Sequence, residues 1–234
     1  MSEDLNLNSL RVAGEDPRTG NNIEAKRPPV VVASANVRVV FSDIVDAVDA
    51  ELREADVVVG CVAWFTNTRL LRTLTKKDGV AFIVQKEDFL RPDGPIDGWK
   101  QHLQRLYEGL RGLDRYDSIF DNTLVSSLSV CSDPTLEPVR CCGTYVPGKT
   151  DLRVPKMHHK FAVLFKKNNA KPYGVIAGSW NWTANATRSL ENVTIFHDEK
   201  LAQAYLNEFA FVAALSEPLD WESEYVAPEW RIGT

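Results

Sequence analysis

The chain has 234 residues, of which 44% are hydrophobic and 25% are charged, and its formal net charge is −5. These values are ordinary for a globular domain and exclude a collagen-like, low-complexity or wholly disordered chain. The length suits one large α/β domain or at most two small ones. No apolar run approaches the roughly 18–20 residues that cross a bilayer, and residues 1–6 do not resemble a secretory signal. Four cysteines in a chain of this length do not predict a disulfide framework, so we expect a reducing, cytoplasmic location without membrane contact.

The negative net charge conceals a basic segment. Residues 140–190 contain nine basic residues and one acid, Asp151, which gives +8 and leaves −13 for the rest of the chain. The following residues, 191–234, contain nine acids and two bases, which gives −7. A basic stretch between acidic flanks indicates a local anion site, such as one for a phosphate backbone, or simply a solvated basic surface.

The first third of the chain alternates between strand and helix patterns. Residues 1–28 are polar and are predicted to form an arm with little structure of its own. The predicted elements that follow are a strand over 37–41, a helix capped by Ser42 and running through 44–52, a buried strand over 56–64, a helix opened by Thr66 and a buried strand over 79–85. This alternation predicts an α/β fold, with a mixed β-sheet and helices on both faces.

The remainder of the chain extends the same fold. The predicted elements are a helix through 99–110, strands over 139–146, 159–165, 173–177 and 192–196, a helix beginning near 182, and a closing helix over 199–215. Residues 112–137 favour no element. We therefore expect one domain over 29–215, followed by an acidic tail over 216–234.

Three short motifs carry groups suited to phosphate chemistry. His158 and Lys160 are two residues apart at the start of an apolar strand, so their side chains share a face and His159 points to the other one. The run Gly178-Ser179-Trp180-Asn181 lies at a strand-to-helix junction, where free N–H groups and a carboxamide suit an oxyanion. Glu191-Asn192 leads the next strand.

In this order, the H-x-K, G-S-x-N and E-N motifs resemble the phospholipase D superfamily, most closely the compact bacterial nuclease branch with one motif per chain. The upstream segments Phe41-Ser42, 62–66 and 80–84 match the beginning of those domains, so the resemblance covers roughly residues 35–214. The resemblance implies a phospholipase D-like sandwich fold.

The resemblance also implies a role for each motif residue. His158 would be the nucleophile that forms a phosphohistidine, and Lys160 and Asn181 would hold the non-bridging oxygens. Ser179 would support the same pocket, and Glu191 would bond a ring nitrogen of His158 and fix its tautomer. Neither a metal nor another cofactor is implied, because the lysine and carboxamide donors stabilise the charge.

One position departs from the family pattern. The family places an aspartate five residues after the lysine, and here that residue is Phe165. Because residues 161–165 form an apolar run, we expect Phe165 to pack in the core. The loss of the aspartate removes a supporting contact and weakens the expectation of full activity.

The roles of several other side chains are predicted from the sequence around them. The basic residues around the motif and one tryptophan are predicted to bind substrate: Lys156, Lys166, Lys167, Lys171 and Arg188 through the phosphate backbone, and Trp180 by stacking on a base. Trp64 is predicted to be core, as is Cys61. His102 and His197 are predicted to lie on the surface. The adjacent cysteines 141 and 142 should point to opposite faces of a strand and, like Cys131, should be ordinary thiols and not zinc ligands.

These observations predict a metal-independent nuclease that cleaves DNA, or RNA, through a phosphohistidine. Two imidazoles are needed and the chain has one H-x-K motif, so the resemblance and the chemistry predict a homodimer with a shared active site. A helicase or ATPase encoded by a neighbouring gene would indicate a further partner. The alternatives are a lipid-acting phosphodiesterase and a nucleic-acid-binding module that has lost turnover together with the aspartate.

Overall fold

The computed structural model describes residues 11–15, 19, 22–26, 30–87, 90, 98–114, 135–143, 156–167 and 171–219. The strands are β1 (Arg11–Glu15), β2 (Asn22–Lys26), β3 (Val30–Ser34), β4 (Val37–Val40), β5 (Val57–Val62), β6 (Gly79–Gln85), β7 (Leu113–Asp114), β8 (Thr135–Leu136), β9 (Val139–Cys142), β10 (Lys160–Phe165), β11 (Gly174–Gly178), β12 (Val193–Phe196) and β13 (Glu217–Pro218). The helices are α1 (Ile44–Glu54), α2 (Thr68–Leu74), α3 (Gly98–Glu108) and α4 (Glu199–Ala214), and a 3-10 turn spans Asn185–Arg188. None of the helices in the described ranges is long and apolar enough to span a membrane.

A nine-stranded mixed sheet organises the fold, in the order β13-β9-β6-β5-β10-β11-β12-β4-β3. β5, β6 and β9 run parallel to one another, and the remaining neighbours are antiparallel. β5, β6 and β10 are buried on both faces, which explains why their sequences are almost continuously apolar. The predicted mixed α/β sheet is confirmed.

Two hydrophobic cores, one on each face of the sheet, hold the helices in place. On one face, α1, α2 and α3 pack through residues such as Val48, Leu71 and Leu103. On the other face, α4 packs through residues such as Leu206 and Phe209. The helices therefore lie on both faces, as the alternating pattern predicts.

Several elements differ from their predicted form. Within the segment predicted to be an arm, β1 and β2 form an antiparallel pair. Asp43, with φ 54°, is the N-cap of α1, not Ser42. The predicted helix near residue 182 is only the 3-10 turn Asn185–Arg188. β13 lies in the predicted acidic tail and pairs with β9, where Glu217 also forms an ion pair with the buried Lys86.

The strand directions bring the three motifs to one edge of the sheet. β10 begins at this edge with Lys160, which is paired with Val62 at the end of β5. β11 ends at the same edge, because Ala177 pairs with Phe161, and β12 begins there with Val193 opposite Gly178. This edge, where β5 and β11 end and β10 and β12 begin, is called the motif edge below.

Candidate active site

His158 and Lys160 lie together at the motif edge. His158 is exposed, whereas Lys160 is only 8% exposed, and the Lys160 ammonium donates to the main-chain carbonyl oxygen of His158 over 2.6 Å. His159 points the other way: its Nε2 lies 2.9 Å from a carboxylate oxygen of Glu208 on α4. The side chains therefore alternate as the strand pattern predicts.

The Trp64 side chain packs beside these two residues. The centroids of the Trp64 and His158 rings are 5.2 Å apart, with the rings nearly perpendicular at 79°. The ammonium groups of Lys156 and Lys160 each lie 5.5 Å from the centroid of the Trp64 ring. The indole N–H donates to Glu87 over 2.9 Å, and the same Glu87 oxygen lies 3.1 Å from Nζ of Lys156.

The second and third motifs are joined by hydrogen bonds. The Ser179 hydroxyl donates to a carboxylate oxygen of Glu191 and accepts from the main-chain N–H of Asn192 over 3.1 Å. The main-chain N–H of Ser179 donates to the Asn192 carbonyl oxygen over 3.1 Å. Glu191 is thus held by Ser179, while its predicted bond to a ring nitrogen of His158 stays a prediction.

Asn181 lies in the loop between these two motifs. Among the described residues, its buried Oδ1 atom has no hydrogen-bond partner. The adjacent segment is held to the residues that precede α2, because the main-chain N–H groups of Thr66 and Asn67 donate to the carbonyl oxygen of Trp182 over 2.9 and 2.8 Å. The carboxamide is therefore carried by an anchored loop, which suits a group that must be positioned in advance.

Burial and nearby charges shift the pKa values of both ionisable groups of the H-x-K motif. Burial lowers the pKa of Lys160 from 10.5 to about 8, and the nearby Glu191 carboxylate opposes this shift. Burial also lowers the pKa of His158, helped by the positive charges of Lys160 and Lys156 and by His159. At neutral pH the imidazole is therefore mostly neutral, as a nucleophile must be, while Lys160 is mostly charged.

One prediction about tryptophan was wrong, and another holds only in part. Trp180, predicted to stack on a base, is fully buried and stacks on Trp182 with ring centroids 6.1 Å apart. Its ring belongs to the core under α1 and α2, so no substrate can reach it. Trp64, predicted to be core, is partly buried: it packs against the core beneath α4 and also contacts His158.

Three of the predicted phosphate-binding lysines lie away from the site. Lys166 and Lys167 follow the far end of β10, about 20 Å from Lys160 at roughly 3.3 Å per residue. Nζ of Lys167 pairs with Asp78 over 3.0 Å, and that of Lys166 bonds the main-chain oxygen of Glu54. Lys171, in the turn to β11, pairs with Glu199 over 2.7 Å. These three lysines therefore lie at the opposite end of the strands from the H-x-K motif, and their predicted contact with a phosphate backbone stays a prediction.

Lys156 and Arg188 remain near the motifs. Lys156 is two residues before His158, and its ammonium contacts Trp64 and Glu87. Arg188 is exposed at the end of the 3-10 turn, in the loop that joins Ser179 to Glu191. Lys156 and Arg188 are thus the predicted substrate-binding cations whose segments join the motifs, and their role stays a prediction.

The remaining side-chain predictions can be compared with the structure. Phe165 and Cys61 are fully buried, which confirms both as core residues. Cys141 and Cys142 pack into the cores on opposite faces of the sheet, also as predicted. In the described ranges, no three His, Cys, Asp or Glu side chains form a group that could hold a metal ion. Cys131 lies outside the described residues.

Sequence reasoning missed Trp64 and Glu87 as site residues. Each lies two residues beyond the end of a buried parallel strand, β5 and β6 respectively. Side chains at the carboxyl ends of parallel strands line the crevice of an open α/β sheet. Their position after these strand ends could have indicated that both residues line the site. Trp64 instead continues the apolar run of β5, which favoured a core prediction.

Comparisons with known proteins give one long match and one short match. No protein-family model matches the chain. The chain is 29% identical over 215 residues to uncharacterized protein L381 of Acanthamoeba polyphaga mimivirus, covering 87% of this chain and 74% of that protein. Over 54 residues it is 44% identical to the mitochondrial cardiolipin hydrolase of Canis lupus familiaris, covering 23% of this chain and 19% of that protein. Among solved structures it is similar to Nuc, a phospholipase D family member from Salmonella typhimurium, with a TM-score of 0.48, 16% identity and coverage of 77% of this chain and 95% of that one.

Proposed function

We propose that this chain, which resembles the phospholipase D superfamily, is a phosphodiesterase that cleaves nucleic acid, DNA in preference to RNA, through a phosphohistidine. The observation that carries the proposal is the meeting of the H-x-K, G-S-x-N and E-N motifs at one edge of the sheet. A neutral imidazole, a buried ammonium and an anchored carboxamide there form a nucleophile with two phosphate ligands.

The reaction takes two displacements at phosphorus. In the first, a ring nitrogen of His158 attacks phosphorus, the P–O bond to the leaving oxygen breaks, and a second imidazole protonates that oxygen. In the second, water attacks phosphorus, gives its proton to the second imidazole, and the P–N bond breaks. Lys160 and Asn181 stabilise the negative charge that develops on the non-bridging oxygens in both steps.

The second imidazole comes from another copy of the chain in this proposal. His159 points to α4 and pairs with Glu208. His197 pairs with Glu51 and follows β12 at the edge opposite the motif edge. His102 lies on α3, outside the motifs. A two-fold homodimer through the motif edge would place two copies of His158 at one phosphate, because such an interface repeats the same residues on each side.

A polyanionic substrate is supported by the cations that remain at the motif edge. Lys156, Lys160 and Arg188 lie on it or in its loops, and a homodimer would double their number. Phosphate contacts by lysine and arginine supply most of the affinity for a nucleic-acid backbone. Trp180 and the lysines at the far end of β10 make no contribution in this proposal.

Two alternatives have specific support. The local similarity to a mitochondrial cardiolipin hydrolase favours a lipid phosphodiester as substrate, cleaved by the same chemistry. The phenylalanine at position 165, where the family carries an aspartate, favours a module that binds nucleic acid without turnover. The two alternatives differ from the proposal in substrate and in turnover respectively, so a single set of assays separates them.

The test uses the full chain with end-labelled single- and double-stranded DNA, RNA, and vesicles containing cardiolipin, each with and without EDTA. We expect cleavage of DNA in EDTA, its loss in His158→Ala and its retention in His102→Ala. Hydrolysis of cardiolipin alone would establish the lipid alternative. Binding with a steep salt dependence but no cleavage would establish the binding module. Activity that disappears in EDTA and returns with Mg²⁺ or Zn²⁺ would overturn the metal-free mechanism.

A further inference from the structure

Trp64 and Glu87 form a connected unit with Lys156 beside His158, and the proposed chemistry uses neither Trp64 nor Glu87. The three side chains share two close polar contacts: the indole N–H to Glu87 over 2.9 Å, and Nζ of Lys156 to the same Glu87 oxygen over 3.1 Å. We infer that Trp64 is a positioning residue, which holds the His158 ring for attack and keeps the Lys160 ammonium beside it, and that Glu87 fixes the indole in this role.

The backbone places Trp64 with little freedom. The N–H of Ala63 donates to the carbonyl oxygen of His159 over 2.9 Å, and the Ala63 carbonyl accepts from the N–H of Gln85 over 3.1 Å. The residue before Trp64 is therefore hydrogen-bonded to segments on both sides, at the start of β10 and the end of β6. The Gln85 side chain adds a third hydrogen bond, which joins the end of β6 to the segment before β10: its Oε1 accepts from the N–H of Met157 over 2.7 Å.

The ring contacts determine what Trp64 can do. A nearly perpendicular pair with centroids 5.2 Å apart is a favourable aromatic geometry, and it restricts rotation of the imidazole about its χ2 angle. His158 is otherwise exposed, so this contact is a main constraint on its orientation. A nucleophile that is held in its attack orientation loses less freedom at the transition state.

The ammonium contacts explain why an aromatic ring suits this position. A carboxylate so close to Lys160 would neutralise its charge and compete with the phosphate. The face of an indole attracts the ammonium without a net charge, so Lys160 stays available to an anion. Glu87 is the carboxylate of the unit, and its pairing is with Lys156 and not with Lys160.

This inference rests on the proposed function for its kinetic test, but a titration tests it independently. The chain has four histidines, so the ring proton signals can be assigned one by one with His→Gln variants. The charged or titratable groups around His158 are Lys156, Lys160 and His159, with Glu191 and Glu87 beyond the two lysines. The Trp64 ring shields one side of the imidazole from water, so we expect Trp64→Leu to raise the pKa of His158 toward its ordinary value.

The variants separate the role of the ring from that of its N–H. Trp64→Phe keeps an aromatic ring but loses the hydrogen bond to Glu87, so its His158 titration should lie between those of the wild type and Trp64→Leu. Trp64→Leu should raise the titration midpoint, weaken the response of the His158 signal to inorganic phosphate, and lower the single-turnover cleavage rate by about 10- to 100-fold. Phe196→Leu, the same loss of a partly buried aromatic ring at the opposite edge, is the control, and thermal unfolding checks that each variant folds.

Glu87 is tested by charge and by hydrogen bonding. Glu87→Gln keeps an acceptor for the indole N–H and should retain most of the cleavage rate, whereas Glu87→Leu should shift the His158 titration in the same direction as Trp64→Leu. An unchanged His158 titration and cleavage rate in folded Trp64→Leu would overturn the inference. If the wild type cleaves no phosphodiester, the proposed function fails, and the titration and phosphate response alone then support or overturn the role of Trp64.

Discussion

The ammonium of Lys160 donates a hydrogen bond to the main-chain carbonyl oxygen of His158, with 2.6 Å between the two atoms. The lysine therefore lies over the backbone of the residue whose side chain is the proposed nucleophile. An ammonium in this position can contact the phosphate that His158 attacks.

The charge of Lys160 should steepen the alkaline loss of activity, which begins at lower pH with the second imidazole, because that imidazole must be protonated to donate to the leaving oxygen. Its pKa of about 8 means that the ammonium is charged below this pH and loses its proton above it. We expect kcat/KM, which reports ionisations of the free enzyme, to fall more steeply as the pH rises through about 8. Lys160→Arg should remove this steeper part of the profile, because a guanidinium stays charged, and an unchanged profile above pH 8 in that variant would contradict the assignment.

Removal of the Lys160 charge should lower kcat far more than removal of the Lys166 charge. We expect Lys160→Met to lower kcat by about 10²–10³-fold, the usual effect of losing one donor to the transition state. Lys166→Met should leave kcat nearly unchanged, because Lys166 lies at the opposite end of β10. Equal losses in the two variants would show that these lysines act only through the overall charge.

Lys156 should contact the phosphate backbone, whereas Lys171 should not. We expect Lys156→Ala to weaken DNA binding. The plot of log K against log salt has a negative slope, and its magnitude should decrease by about 1, as the loss of one phosphate contact does. Lys171→Ala removes the same charge at the opposite edge, where the lysine pairs with Glu199, and should leave the slope unchanged. Titrations of labelled DNA at several salt concentrations make the comparison, and equal slopes in both variants would refute the placement.

Phe165 should be needed for stability and not for catalysis. It is fully buried in the core beneath α4, so Phe165→Asp places an unpaired charge in apolar surroundings. We expect a loss of at least about 3 kcal/mol in the free energy of unfolding, measured by urea denaturation. Phe165→Leu is the control and should lose much less. An aspartate variant as stable as the wild type and far more active would show that the site lacks only a replaceable support.

The proposed shared site should appear in mixed dimers. We expect sedimentation equilibrium to give a dimer, and mixing wild-type with His158→Ala chains to give heterodimers with almost no turnover. Independent sites would give half of the wild-type turnover in each heterodimer. A mixture of wild type with His102→Ala is the control and should keep full activity. A fully active monomer would refute the shared site.

Local patterns in the sequence were enough to predict much of the fold. The apolar runs over 56–64, 79–85 and 159–165 predicted three strands, and the first two were predicted to be buried because such strands need no polar side. The structure buries all three on both faces. The two-residue spacing at the start of β10 predicted that His158 and Lys160 share a side, because successive side chains of an extended chain point to opposite faces. The same rule separated Cys141 from Cys142.

Local patterns failed where the polar or apolar character of a segment was ambiguous. Residues 11–26 are polar enough to be taken for an arm, yet β1 and β2 pair within them. β13 is only two residues long and lies among acids, so only its pairing with β9 reveals it as a strand. Strand pairing depends on a partner distant in sequence, and no short window contains that partner.

The sequence by itself determined which residues could carry phosphate chemistry and that His158 and Lys160 lie on one side of a strand, because a two-residue spacing has one outcome on a β-strand. Only the tertiary structure decided which other side chains stand beside them. It buried Trp180 on Trp182, brought Trp64 to the His158 ring, and left Lys166 at the far end of β10. The reason is physical: the side of a strand follows from spacing, but the neighbours of a side chain depend on strand order, direction and length, which are fixed by packing across the whole sheet.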